Sequence, residues 1–265
     1  APRYLHSVSR RQRQLCIRAR FWLGLVASLV ASAAAGALVE ITVIRRLYDR
    51  DHLDQVLATF ALVLMFSEAT RFVFGSSPLY LNPPEILSGP VMLPGGIAYP
   101  AYRLAIIVAG LLVAGGLGLL INRTRLGVRI RAGEADREMI SALGVDIRTL
   151  YTIVFALGAA LAGFAGALVG AIQSVEVGMG EPVLILAFVV IVIGGIGSIR
   201  GALIAAIIVG VVDTMGHFLL PNLLSEVMDP SFARGTGAAI ASMLIYVLMA
   251  LVLIIKPRGL FPANG

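Results

Sequence analysis

The sequence predicts an all-α, polytopic transmembrane helix bundle, and three observations carry that reading. Apolar residues make up 58% of the 265 residues and charged residues only 14%, against about 25% charged in an ordinary soluble domain. The apolar residues are gathered into long runs rather than spread along the chain. The cations stand between those runs, which is the pattern of membrane topology and not of a nucleic-acid-binding face. Disorder is excluded as well, because it requires low hydrophobicity and high charge.

A helix needs about 20 apolar residues to cross a bilayer. Seven segments come near that length: 21–44, 55–74, 103–122, 150–172, 182–199, 201–220 and 236–255. The fifth and sixth are short and separated only by a few residues around Gly197-Ser198-Ile199-Arg200-Gly201. Both are apolar all round, so periodicity leaves a tight hairpin and a partly re-entrant pair equally open.

The connections give the orientation. Loop 123–149 holds Arg123, Arg125, Arg129, Arg131, Arg137 and Arg148 and is expected on the cytoplasmic side. Alternation then puts 45–54, Arg200 and the tail with Lys256 and Arg258 on the same side. The cation-poor loops 75–102, 173–181 and 221–235 fall outside. Segment 75–102 is rich in Pro and Gly and reads as an irregular loop with a short hairpin.

Residues 1–20 break the scheme. Alternation places them outside, yet they carry Arg3, Arg10, Arg11, Arg13, Arg18 and Arg20. The expectation is an Arg-rich segment over 1–20 that is a truncated or non-native start, followed by a transmembrane domain over 21–265. A twin-Arg export signal is the alternative, but Gln12-Arg13-Gln14 stands where apolar residues should follow the Arg pair.

Within the six-Arg loop, Ala132, Ala135, Met139, Leu143 and Ile147 recur at helical spacing and form one apolar stripe. Glu134, Asp136, Arg137, Glu138 and Ser141 occupy the other face. Gly144 is a natural stop and Asp146 a natural N-cap for the next span. A short amphipathic helix at the cytoplasmic face follows, resting on lipid headgroups or docking into a partner's groove. Acids on its polar face suit a protein better than anionic lipid.

Ionisable residues inside spans are functional candidates by default. Glu68 and Arg71 are three residues apart in the second span, and Asp213 and His217 four apart in the sixth. Gly194, Gly195 and Gly197 lack side-chain bulk and could border a solute path or form a tight turn. One Cys and three scattered His exclude a disulfide within the chain and a His-rich metal cluster. No Walker sequence, nucleophile elbow or other motif for catalysis or cofactor binding is present.

The runs Leu126-Gly127-Val128-Arg129, Gly144-Val145-Asp146, Phe155 through Gly163, and Phe188 through Gly201 resemble the permease subunits of branched-chain amino-acid ABC importers, of the LivH type. The resemblance covers about residues 36–262. It implies a non-enzymatic inner-membrane subunit that moves amino acids into the bacterial cytoplasm. Its implied partners are a second permease, two cytoplasmic ATPases, a periplasmic solute-binding protein, the amino-acid solute and membrane lipid, with no nucleic acid and no cofactor. The loop helix would be the ATPase-coupling helix, through Glu134, Arg137, Glu138, Met139, Leu143 and Gly144. Glu138 and Gly144 keep the six-residue spacing seen in ABC importers, while Met139 and Ile140 replace small residues. The solute pathway would draw on Glu68, Gly194, Gly195, Gly197 and Asp213. The family's first apolar segment, with its Asn-Phe-Ala-His-Gly-like stretch, has no counterpart here, which is the second ground for expecting an altered start. A self-powered transporter relaying protons through Glu68 or Asp213 is the competing reading, and a membrane-embedded enzyme a third.

Overall fold

A computed structural model describes residues 4–48, 50–81, 83–84, 87–92, 96, 98–195, 197–226, 229–257 and 259–261. The side chains of residues 4–20, 52, 134–135, 137–138, 199–200 and 230–231 lie outside this description. The helices are α1 Tyr4–Val39, α2 Arg45–Leu47, α3 His52–Phe74, α4 Ala101–Arg123, α5 Arg125–Ala135, α6 Arg137–Ala142, α7 Ile147–Val169, α8 Gly180–Gly194, α9 Ile199–Ser225 and α10 Pro230–Ile255. A π-helical turn, Glu40–Ile44, runs between α1 and α2. In the 75–102 loop β1 Pro90–Met92 pairs antiparallel with β2 Ala98–Pro100, which is the expected short hairpin.

All seven apolar segments are helical. Among the described residues, six are long and apolar enough to cross a membrane. The seventh, α8, has 15 residues, about 22 Å at 1.5 Å per residue, short of the ~30 Å hydrocarbon core. The expected fifth segment, 182–199, therefore ends five residues early, at Gly194.

The chain divides into two compact units, Ala1–Gly178 and Met179–Gly265. In the first, α1 and α7 pack antiparallel along most of a span. A Cβ on Gly36 would collide with the Ala159 Cβ, and one on Gly163 with the Ser32 hydroxyl. Ser28 donates to the Gly163 carbonyl at 3.0 Å. Small residues at every fourth position, Ser28, Ser32 and Gly36, let the two backbones approach. At the far end Tyr102 of α4 donates to the Leu168 carbonyl of α7 at 2.9 Å, and its ring meets Phe21 of α1 at 6.3 Å.

Antiparallel packing puts the end of α1 beside the start of α7. Arg45, Arg46 and Arg50 thus share a side with the six-Arg loop, as alternation requires. Leu79 and Val175 bridge the two loops assigned to the opposite side.

The second unit is built on Val189 and Ile193 of α8, Ala205 and Val209 of α9, and Ile245 and Val252 of α10. Pro221 is accommodated inside α9 because Gly237 of α10 lies directly against its ring and backbone.

The α1–α7 approach makes a test. Gly163→Leu should cost about 1–3 kcal/mol or more through overpacking and lower the thermal midpoint in detergent. Gly24→Leu, where a Cβ meets nothing within 4 Å, should stay within about 0.5 kcal/mol of the parent. Equal midpoints for the two variants would remove the packing role.

Candidate functional site

The six-Arg loop folds as two helices rather than one. Thr124 separates α4 from α5 and caps α5 by accepting from the Gly127 N–H at 3.2 Å. Arg131 of α5 reaches back to the Ile121 carbonyl in the last turn of α4, where the helix dipole favours a cation. The expected continuous helix over 132–144 is broken at Asp136, whose backbone is extended (φ −152°, ψ 110°). Its carboxylate accepts from the Met139 N–H at 3.0 Å. Asp136 thus acts as a cap that starts α6, because a short acidic side chain competes with the helix for backbone donors.

The stop at Gly144 is where the sequence places it: Gly144 adopts φ +82° and its N–H donates to the Ser141 carbonyl at 3.0 Å. Asp146 caps α7, accepting from the Arg148 N–H at 3.0 Å and the Thr149 hydroxyl at 2.6 Å.

Of the residues assigned to coupling, Met139 and Leu143 are exposed, at 61% and 74%. They leave an apolar face that the chain itself does not cover, while Ile140 beside them is buried in the chain. Glu134, Arg137 and Glu138 stand on either side of the Asp136 break, and their side chains lie outside the described residues.

The glycine turn is a packed hairpin. α8 ends at Gly194, Gly195 adopts φ +98°, and Ser198 caps α9 by accepting from the Gly201 N–H at 3.1 Å. A Cβ on Gly194 would lie 2.6 Å from the Ala202 nitrogen. The chain's own tail takes the free carbonyls at the end of α8: Leu260 N–H donates to Ile193 at 2.8 Å and Phe261 N–H to Gly194 at 3.1 Å. The tail thus bonds the Gly194 carbonyl, and Gly195 and Gly197 adopt the positive φ of a turn. The same bonds place the end of α8, the start of α9 and the tail on one side of the membrane.

The charged pairs inside spans form as spaced. Arg71 meets Glu68 at 2.9 Å, and His217 Nδ1 lies 3.2 Å from Asp213 Oδ1. Both pairs face outward from the chain, the side chains of Glu68 and Asp213 being 67% and 36% exposed. Among the described residues no three His, Cys, Asp or Glu come together as a metal site.

The sequence reading missed Glu40, which is completely buried. Its carboxylate accepts from Arg45 Nη2 at 3.0 Å and from the Thr152 hydroxyl at 2.6 Å. Arg45 Nη2 also donates to Thr152 at 2.8 Å, closing a three-way cluster. The available signal was an acid within the apolar run 21–44. Five residues separate Glu40 from Arg45, a spacing that α-periodicity of about 3.6 residues per turn does not bring together; the π-helical turn does.

The family described as branched-chain amino acid transport system / permease component matches residues 5–253. The high-affinity branched-chain amino acid transport system permease protein BraD of Pseudomonas aeruginosa is 28% identical over 245 residues, 88% of this chain and 72% of that protein. The corresponding LivH protein of Salmonella typhimurium is 26% identical over 242 residues, 89% of this chain and 73% of that protein. A probable LivH permease of Methanocaldococcus jannaschii is 29% identical over 146 residues, 55% of this chain and 43% of that protein. No solved structure matches.

The Thr149 hydroxyl holds the Asp146 carboxyl below its ordinary value of 3.8. A carboxyl depressed by folding stabilises above its unfolded value, and that contribution is lost as pH falls through the folded one. Protection of the Arg148 amide, corrected for intrinsic exchange, should therefore fall only in acid. In Asp146→Ala it should be low at every pH, and hydrogen-exchange mass spectrometry of the α7 start reads the difference.

Proposed function

Because the chain belongs to the branched-chain amino acid transport system permease family, we propose that it is the membrane subunit of an ATP-driven importer. It would sit in the bacterial inner membrane and pass branched-chain or related amino acids to the cytoplasm. The observation that carries this reading is the family match over residues 5–253. The relatives' names supply the solute class. The helices α5 and α6 in the six-Arg loop supply a surface on which a cytoplasmic motor can act.

The division of labour follows from the chemistry. Among the described residues six helices are fit to span a membrane, and the sequence holds no motif for nucleotide hydrolysis; the energy would come from partner subunits. Two cytoplasmic ATPases would bind the loop helices, with Met139 and Leu143 as the apolar contact and Glu134, Arg137 and Glu138 as the charged rim. A second permease would complete the pathway, and a periplasmic binding protein would deliver the solute. Glu68 and Asp213 point away from the chain on spanning helices. Charge facing lipid is costly, so these faces are assigned to the partner permease or a water-filled route between the two.

The decisive experiment reconstitutes the chain with its partner subunits in proteoliposomes and follows labelled leucine. Uptake should require ATP and the binding protein. Uptake by this chain without any ATPase would overturn the reading in favour of a self-powered carrier.

The docking surface has its own test. Glu138→Arg should reduce ATPase copurification about tenfold or more, because a like charge at a docking rim is repulsive, while the permease stays inserted. Unchanged copurification would remove these helices from the ATPase contact.

A further inference from the structure

We infer that one turn of α7, Leu150-Tyr151-Thr152, joins the loop helices to the end of α1, with Glu40 and Arg45 as positioning residues. The inference deepens the transport reading and rests on it: it names the part of the chain through which a push on the loop reaches a membrane span. Three consecutive residues carry the join. Leu150 is buried, and its side chain lies over Gly133 of α5, where an added Cβ would stand 3.4 Å from Leu150 Cδ2. The Tyr151 ring lies 5.2 Å from the ring of Tyr48, just after α2. The Thr152 hydroxyl bonds Glu40 and accepts from Arg45. Successive helix residues turn by about 100°, so these side chains fan across α7 from the loop helices on one flank to the α1 end on the other.

The Glu40 cluster has the marks of a positioning device rather than of simple packing. Replacing a buried ion pair by apolar residues is often neutral or stabilising, and fixing register is its best-attested use. The pair forms only because the chain departs from α-geometry at Glu40–Ile44, and single π-turns inside helices occur frequently at functional sites. Arg45 keeps 32% of its side chain exposed while Glu40 keeps none. The acid is therefore fixed in place, and the cation reaches it from the cytoplasmic border. With Thr152 bridging both, the end of α1 must follow α7, and α7 carries α5 and α6.

The test uses the reconstituted complex. Thr152→Val removes both hydrogen-bonding roles at nearly constant shape, Thr152→Ser keeps them, and Glu40→Gln removes the charge. Uptake per ATP hydrolysed should fall about fivefold or more in Thr152→Val and Glu40→Gln and be kept in Thr152→Ser, with assembly unchanged in all three. In parallel, spin labels on Ile41→Cys and Ile153→Cys, with Cys16→Ser, report the α1–α7 distance; both sites are exposed, at 49% and 41%. That distance should hold within about 2 Å, the scale of ordinary helix shifts, through the nucleotide cycle of the otherwise unaltered complex.

A larger change, or normal uptake per ATP in both Glu40→Gln and Thr152→Val, would overturn the inference. So would failure of those two variants to assemble while Thr152→Ser assembles, since the cluster would then serve folding alone. An unaltered complex without ATP-driven uptake would instead refute the transport reading, leaving the label distance to report on the join.

Discussion

In hydrocarbon there is no water to satisfy a backbone donor or acceptor, so each must find its partner within protein. That constraint organises this chain. It requires the apolar runs to be helices, and it puts a premium on what happens where helices stop. The end of α8 shows the consequence. A helix leaves its last four carbonyls without intrahelical partners, and α8, with 15 residues, has such an end at Gly194. The tail returns to bond two of them, at Ile193 and Gly194. Gly195 and Gly259, both at positive φ, permit that approach because a Cβ on Gly259 would strike Gly195. Residues 259–261 are thus part of the second unit's architecture.

The same constraint governs how the helices associate. Lipid tails are as apolar as leucine, so burying Leu against Leu gains little inside a membrane, and close contact of backbones must do the work. This explains why the α1–α7 seam is made of Ser28, Ser32, Gly36, Ala159 and Gly163 while large apolar residues such as Trp22, Leu23 and Phe72 remain exposed. In a soluble protein those exposures would be anomalous. Here they are a surface for lipid and for the proposed partner subunits.

Apolar periodicity and cation placement made the helices legible, and the structure adds geometric support for the orientation. The antiparallel α1–α7 seam gathers the cations of 45–50 to the side of the six-Arg loop. The Gly144 stop and the Asp146 cap were legible because each rests on a local rule about one residue's backbone. What was not legible depended on a choice between two local rules, or on contact across distance. Asp136 reads equally well as a charge on a polar face and as a cap; only the folded backbone shows which wins. Gly194 reads as an open path or a closed turn, and the residues whose N–H groups bond this end of α8, Leu260 and Phe261, are more than sixty positions away. Glu40 was hidden by a helix type that α-periodicity does not contain.

Asp136 and Glu40 also show how the surroundings set what an acid in a helix can do. Both lie where the regular helix is interrupted. Asp136 sits outside the spans, where water can solvate a break, so an N-cap suffices and the chain gains a joint between α5 and α6. Glu40 is closed off from water, where a carboxylate without partners would be very costly. It cannot be left at a simple break, so the helix persists as a π-turn that delivers Arg45, and α7 delivers Thr152. The loop thus has a joint at Asp136, whereas the α1 end is held by charge, hydroxyl and helix geometry at once, the order of stiffness that the proposed docking of a partner subunit would need. A mechanical input needs that order of stiffness: a surface that accommodates its partner, backed by a connection that does not yield before the spans move.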